Sequence, residues 1–295
     1  MSSSYNSLFN LARRWALKLP FIVVLTAASW GSGNAADISA SGGKFAGSVA
    51  IKGQIVAGDA KKLSELLANN IFTVQVFLDS PGGDVVEATR MAEVIRVLRL
   101  STRVGYASSK SASPAPGSNK AICASACFFI WLAGSSRAAS DALDPRLEEG
   151  RVGLHRPFLI NPKNTEESLA SQSNVVQSVT AYLDGNMVPR RLIDLMMSRP
   201  SNNIYWLSNA DIEEIGRIRP DLEELYIARC GHDSKLNQQQ MSALQRGDIK
   251  ESDAIEKKLQ EIMGCEIDLN LDAIAAGRKK LKSGWLPANP FQRKS

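Results

Sequence analysis

Two side chains and one glycine turn in this sequence could together carry out acyl transfer. Ser125 lies in Cys123-Ala124-Ser125-Ala126-Cys127, directly ahead of the apolar run 128–134. His155 ends a short strand-like segment at 151–154, and Ser80-Pro81-Gly82-Gly83-Asp84 makes a tight turn upstream. A serine hydroxyl attacks a carbonyl only when a base removes its proton. The chain has two histidines, and His232 lies in the tail beside Cys230, which leaves His155 as the base for Ser125. Glycine at 82 and 83 lets backbone amides approach a substrate closely enough to hold an oxyanion. Each feature also has a plain structural reading. His155 could be a hydrogen-bonded residue at a strand end, Gly82-Gly83 a strand-to-helix turn, and Cys123 and Cys127 small packing residues.

The elements that must position these groups follow from periodicity. Residues 45–56 alternate as a strand with a break at Gly53, and residues 72–78 form a second strand, β-branched and almost wholly apolar. Leu63, Leu66 and Leu67 recur at helical spacing in 60–68. Asp84 is suited to cap a helix running to Leu98, with Val86, Met91, Ile95 and Leu98 facing inward. A third strand covers 101–106. Strand, helix, strand, helix, strand with short links predicts repeated βαβ units and a largely parallel sheet.

Residues 124–132 read as a buried helix, 151–154 as a strand, 166–184 and 189–197 as helices, 204–207 as a short strand, and 209–215 as a helical turn ended by Gly216. Residues 36–44 read as a flexible lead-in. Residues 108–119, rich in Ser, Pro and Gly, and 141–150 read as loops flanking the site, the first a candidate lid or a tolerated insertion. From Cys230 the chain turns charged and glutamine-rich. A helical appendage is expected there, with a further short helix at 269–281.

The first 36 residues read as an export signal. They hold no acidic residue, carry Arg13, Arg14 and Lys18, then an apolar stretch around 21–25, and end in small residues at 33–36. Arg13-Arg14-Trp15 loosely resembles a twin-arginine signal, with the general secretory route as the alternative. The stretch 19–36 could instead stay uncleaved as a membrane anchor, although its apolar core is short for a span of roughly 20 residues. Those three basic residues supply most of the net charge of +5. The remainder is close to neutral, so nothing in the charge points to nucleic acid. Four cysteines in an exported, periplasmic chain suggest disulfides, with Cys123–Cys127 and Cys230–Cys265 the first pairing of three. The resulting layout is a signal at 1–36, an α/β domain at 37–228 and a helical appendage at 229–295.

The order of motifs resembles the ClpP/crotonase fold, and within it the ClpP-like serine peptidases, exported forms included. Ala50-Ile51-Lys52-Gly53-Gln54-Ile55 resembles the opening strand and turn, and Ser80-Pro81-Gly82-Gly83 the oxyanion loop. Cys123-Ala124-Ser125-Ala126 resembles the nucleophile turn, and Val152-Gly153-Leu154-His155-Arg156-Pro157 the strand end bearing the histidine. Trp206-Leu207-Ser208-Asn209-Ala210 is a weaker match. The likeness spans roughly 47–216 and leaves the tail outside. It implies a peptide or protein substrate, an acyl-enzyme at Ser125 and an oxyanion hole from the amides of Gly83 and Ala126. It further implies no metal or cofactor, and assembly into homo-oligomers.

The sequence departs from that family at the third member of the triad. The stretch before 205–207 reads Ser201-Asn202-Asn203-Ile204, with no carboxylate. Asn203 or Asn202 could orient the imidazole, as asparagine does in papain-like peptidases, or Asp194 or Asp211 could do so from elsewhere. Three other readings stand beside the hydrolase. One is a binding or scaffolding protein that keeps the fold without turnover. Another is crotonase-type acyl-CoA chemistry, which export argues against. The last is a cysteine nucleophile, which oxidation of Cys123 and Cys127 would disable.

Overall fold

The structure is a computed structural model, and it describes residues 35–42, 47–69, 73–106, 120–139, 150–158, 166–289 and 291. Strand β1 (Asp37–Gly42) pairs antiparallel with β2 (Gly47–Lys52). Helix α1 (Asp59–Asn69) then leads to β3 (Thr73–Asp79), and α2 (Val85–Val97) to β4 (Ser101–Val104). Strand β5 (Ile122–Ala124) runs into the short helix α3 (Cys127–Leu132), followed by β6 (Arg137–Ala138) and β7 (Arg151–Leu154). Helices α4 (Glu166–Gly185) and α5 (Arg190–Ser198) precede β8 (Tyr205–Trp206) and α6 (Asn209–Ile215). The chain closes with α7 (Pro220–Cys230), α8 (Leu236–Gln245) and α9 (Ile249–Lys282).

The strands form two sheets. One has the order β1-β2-β3-β4-β6, with every pairing after the first parallel; the other has the order β5-β7-β8, with β5 and β7 parallel and β8 antiparallel. The β2-α1-β3-α2-β4 stretch is thus a pair of crossover units, as the alternation of patterns predicts. Between the layers lies a continuous core. Strands supply Val49, Ile51, Val76 and Leu78, the helices Leu63, Leu67, Met91 and Ile95, and α3 inserts Phe128, Phe129 and Trp131, all fully buried. Asp84 caps α2 by accepting hydrogen bonds from the amides of Val86 and Glu87.

Four local expectations change. Residues 37–42 form an edge strand rather than a lead-in, because the backbone of β2 offers them a partner that their own small residues do not advertise. Ala124 ends a strand, and the helix begins only at Cys127. The two-residue β6 and the eleven-residue α7 leave little periodic signal. Residues 269–281 belong to one 34-residue helix, α9. Residues 108–119 and 141–149 lie outside the described residues.

Helix α9 returns to the core. A methyl group on Gly277 would lie 2.6 Å from the Val97 carbonyl oxygen, so α9 and α2 meet there backbone to backbone. Leu281 is buried. Disulfide Cys230–Cys265, a 2.7 Å Tyr226–Asn270 hydrogen bond and a 2.7 Å His232–Glu266 contact fasten α7 and the segment after it to the middle of the helix. Residues 34–295 form one compact unit.

Asp211 joins α5, β8 and α6. Its carboxylate accepts from Arg191 at 2.5 Å, from the Tyr205 hydroxyl at 2.8 Å, and from the Ser208 amide and hydroxyl at 2.8 and 2.7 Å. Burial opposes its charge, but the bonds from Arg191, Ser208 and Tyr205 outweigh burial and hold the carboxyl well below the usual carboxylate range. A depressed folded-state pKa stabilises the fold above the unfolded value and loses that contribution as pH falls. The stability gap between the wild type and Asp211→Asn should therefore be constant from neutral pH downward and narrow only below about pH 4, measured by urea unfolding. Replacing Cys230 and Cys265 with serine should lower unfolding stability by about 2–4 kcal/mol in the same assay.

Candidate functional site

The site is built where three chain segments are stitched by their backbones. The Ser80 amide donates to the Ile122 carbonyl at 2.7 Å, and the Ala124 amide donates back to the Ser80 carbonyl at 3.0 Å. On the other side the Ile55 amide donates to the Gly82 carbonyl at 2.8 Å, and the Asp84 amide to the Ile55 carbonyl at 2.9 Å. The fully buried Ser80 side chain accepts the Gly82 amide at 3.1 Å. The turn after β3 is thereby held between the segment after β2 and the end of β5.

Both glycines are sterically required. A Cβ on Gly82 would sit 2.6 Å from the Ala124 carbonyl oxygen and 2.7 Å from the Ser125 Cβ. One on Gly83 would sit 2.1 Å from the Ile55 carbonyl oxygen. Their φ angles, +100° and +142°, also fall in the region that side chains disfavour.

Ser125 is the turn residue between β5 and α3, with φ +56°. A non-glycine residue held there costs about 1–3 kcal/mol, and such strand–turn–helix elbows thrust a serine hydroxyl outward. The neighbouring structure fixes this conformation. The Ser125 amide donates to the Gly153 carbonyl at 3.0 Å, its carbonyl accepts from the Phe128 amide at 3.0 Å, and Cys123 is bonded to Cys127 across it. Both sulfurs belong to fully buried residues and are tied in a disulfide, so neither is a free thiol nucleophile.

Register brings His155 to the same end of the sheet as Ser125. β5 and β7 are parallel neighbours with Ala124 opposite Gly153, so Ser125 and His155 both emerge at the C-terminal ends of adjacent strands. His155 is buried, packs its ring 5.8 Å from that of Phe158, and lines the same cavity as Ser125. Its Nδ1 lies 2.9 Å from the Arg156 carbonyl oxygen. A carbonyl can only accept, so Nδ1 carries a proton, and in the neutral ring the lone pair is on Nε2, the tautomer a general base needs. Arg156 is itself pinned, because its amide donates to the Arg199 carbonyl at 2.9 Å. Among the described residues no hydrogen bond joins Ser125 to His155; such bonds are often long before substrate binds and shorten in the complex.

The cavity measures about 830 Å³. Its wall is mostly apolar, with Val56, Val86, Phe129, Phe158, Met196 and Ile204, and among the described residues its ionisable lining is Asp84 and His155. Gly83 and Ala126 also line it. Among the described residues neither of their amides has a hydrogen-bond partner, whereas the Ser125 amide is already used.

Asn203 is exposed, and its amide closes a turn onto the Pro200 carbonyl at 2.9 Å; its neighbours Ser201 and Ile204, not Asn203, line the cavity. Asp194 is exposed and paired with Arg190, and Asp211 is committed to Arg191, Tyr205 and Ser208. The partner of the imidazole is instead a main-chain carbonyl, which no residue type announces. Among the described residues no group of histidines, cysteines and acids could hold a metal ion, and no helix is long and apolar enough to cross a membrane.

A solved structure of a ClpP1 mutant from Listeria monocytogenes is similar to this chain at 17% identity. The match covers 58% of this chain and 88% of that one, with a TM-score of 0.38. No protein-family model matches the chain, and no curated protein does.

Proposed function

We propose that the protein is a serine hydrolase that cleaves a peptide or related acyl substrate through an acyl-enzyme at Ser125. The observation that carries this reading is the strained Ser125 elbow, sharing one cavity with an imidazole whose tautomer is set by the Arg156 carbonyl. Ser125 Oγ would attack the substrate carbonyl carbon while its proton passes to His155 Nε2. The oxyanion would be held by the unused amides of Gly83 and Ala126. The proton on Nε2 would then go to the leaving group, and water activated by the same nitrogen would release the acyl group. The apolar wall suits an aliphatic or aromatic substrate side chain.

A second reading has support in one feature. A carbonyl orients the imidazole but offers no negative charge to the imidazolium, and losing that carboxylate in a serine triad costs about 10⁴ in turnover. A binding or scaffolding protein that has kept the fold would look the same at this point. We further propose that the protein works in an oxidising compartment, the periplasm by the reading of residues 1–36. Two disulfides fit such a setting better than a reducing cytoplasm.

Labelling the full chain with a fluorophosphonate probe separates these readings. The wild type should label, Ser125→Ala should not, and His155→Ala should label roughly 10²–10⁴ times more slowly. Asn203→Ala should stay within about twofold, as surface substitutions do. A loss in Asn203→Ala as deep as that of His155→Ala would return the orienting role to the asparagine. Labelling that survives Ser125→Ala, or none in the wild type, would sink the hydrolase.

A further inference from the structure

The tail carries apolar surface that neither its own packing nor the cavity uses. Met263, Ile267 and Leu271 on α9 are 56%, 49% and 58% exposed. A helix advances about 100° per residue, so these three, with the exposed Ile249, fall within roughly 40° of one line. The packed surface of α9 lies behind that line and along one flank of it, with Ile262 buried and Cys265 bonded to Cys230 roughly 140–160° away, and Asn270 bonded to Tyr226 roughly 60° away. Exposed Ile227 on α7 and Met241 and Leu244 on α8 enlarge the apolar surface of the same three-helix unit. An exposed apolar stripe of this kind on a polar helix marks a protein contact.

The charges along that line identify the partner. Glu256 and Arg278 fall within roughly 20° of it, on either side of the apolar segment. Each is eleven positions from Ile267. Among the described residues Glu256 has only a 3.4 Å contact from Gln260, and the buried Arg278 Nε has no hydrogen-bond partner. Beyond them Asp253 and Lys282 extend the pattern. The face therefore reads acidic, apolar, basic, and it is its own complement when reversed. We propose that α9 pairs antiparallel with α9 of a second copy about a two-fold axis at Ile267. Met263 then meets Leu271 of the second copy, and Glu256 meets its Arg278, as the self-complementarity of an isologous contact requires. The opposed helix dipoles of the two copies reinforce the arrangement. Asp268 and Glu266 flank the axis, but both lie about 100° away from the contact line, and Glu266 is bound to His232.

The geometry makes a sharp test, because all four cysteines are disulfide-bonded and an introduced one would be the sole free thiol. On non-reducing electrophoresis of the full chain, Ile267→Cys should run as a cross-linked dimer. Lys279→Cys should not, because its two copies would stand roughly 36 Å apart along the paired helices. In the Ile267→Cys background, Glu256→Arg should cut the cross-linked fraction at least tenfold, and adding Arg278→Glu should restore it. Equal cross-linking at both positions would overturn the proposal. So would a single-chain mass by sedimentation at about 100 µM, or binding to phosphatidylglycerol vesicles that requires Ile267 while no dimer forms. Fluorophosphonate labelling of Ser125 bears on none of these outcomes, so the dimer and the hydrolase fail separately.

Discussion

The fold hangs on the turn Ser80-Pro81-Gly82-Gly83, hydrogen-bonded on one side to Ile55 and on the other to Ile122 and Ala124. Four backbone bonds at 2.7 to 3.0 Å hold the ends of β2, β3 and β5 in fixed relation, and they tie the main sheet to the smaller one. Such closeness excludes side chains. Neither Gly82 nor Gly83 could carry a Cβ without striking the backbone of Ala124 or Ile55. The same approach that stitches the sheets places Gly83 in the wall of the cavity that Ser125 lines, with its amide unbonded among the described residues. Stability and the proposed chemistry therefore draw on one piece of geometry, and a change to either glycine acts on both.

Ser125 is the other place where structure is held against local preference. A left-handed serine would relax if its neighbours allowed it. Here β5 holds the residue from one side and α3 from the other, and α3 is anchored by Phe128, Phe129 and Trp131 in the core. The Cys123–Cys127 bond closes the short segment between them, so strand, elbow and helix cannot separate. His155 is fixed by similar means, through a neighbouring residue whose own amide is bound to Arg199. Ser125 and His155, the proposed nucleophile and base, are thus positioned by main-chain contacts more than by side-chain networks, and the geometry of the site does not call on an acidic third member.

That reliance on backbone sets what the sequence could disclose. The two crossover units were legible because β3 is almost wholly apolar and α2 has both an Asp84 cap and an inward row through Met91 and Ile95. That Ser125, His155 and the glycine pair would share one cavity was legible because few residue types suit the proposed roles. The Arg156 carbonyl was not, since every residue carries one, whereas side-chain chemistry singles out Asn202 and Asn203. β1 was missed because its pairing with β2 lies in the backbone and not in Asp37–Gly42 themselves. The continuity of α9 was hidden by its composition, charged at both ends and apolar on only part of its surface.

The surface of α9 that hid the helix is also what sets it apart physically. A helix that only braced the core would bury one stripe and leave the other polar. The lower end of α9 does this, with Gly277 against α2 and Leu281 in the core. Over its middle the helix has apolar residues on the outer face as well, although the inner face is already fixed by Ile262 and Cys265. Met263, Ile267 and Leu271 are about half exposed, so leaving them in water forgoes up to about 1.5 kcal/mol of burial at each. A two-fold contact recovers that from both copies at once. It also spends nothing from the cavity, since no residue of α9 lines it.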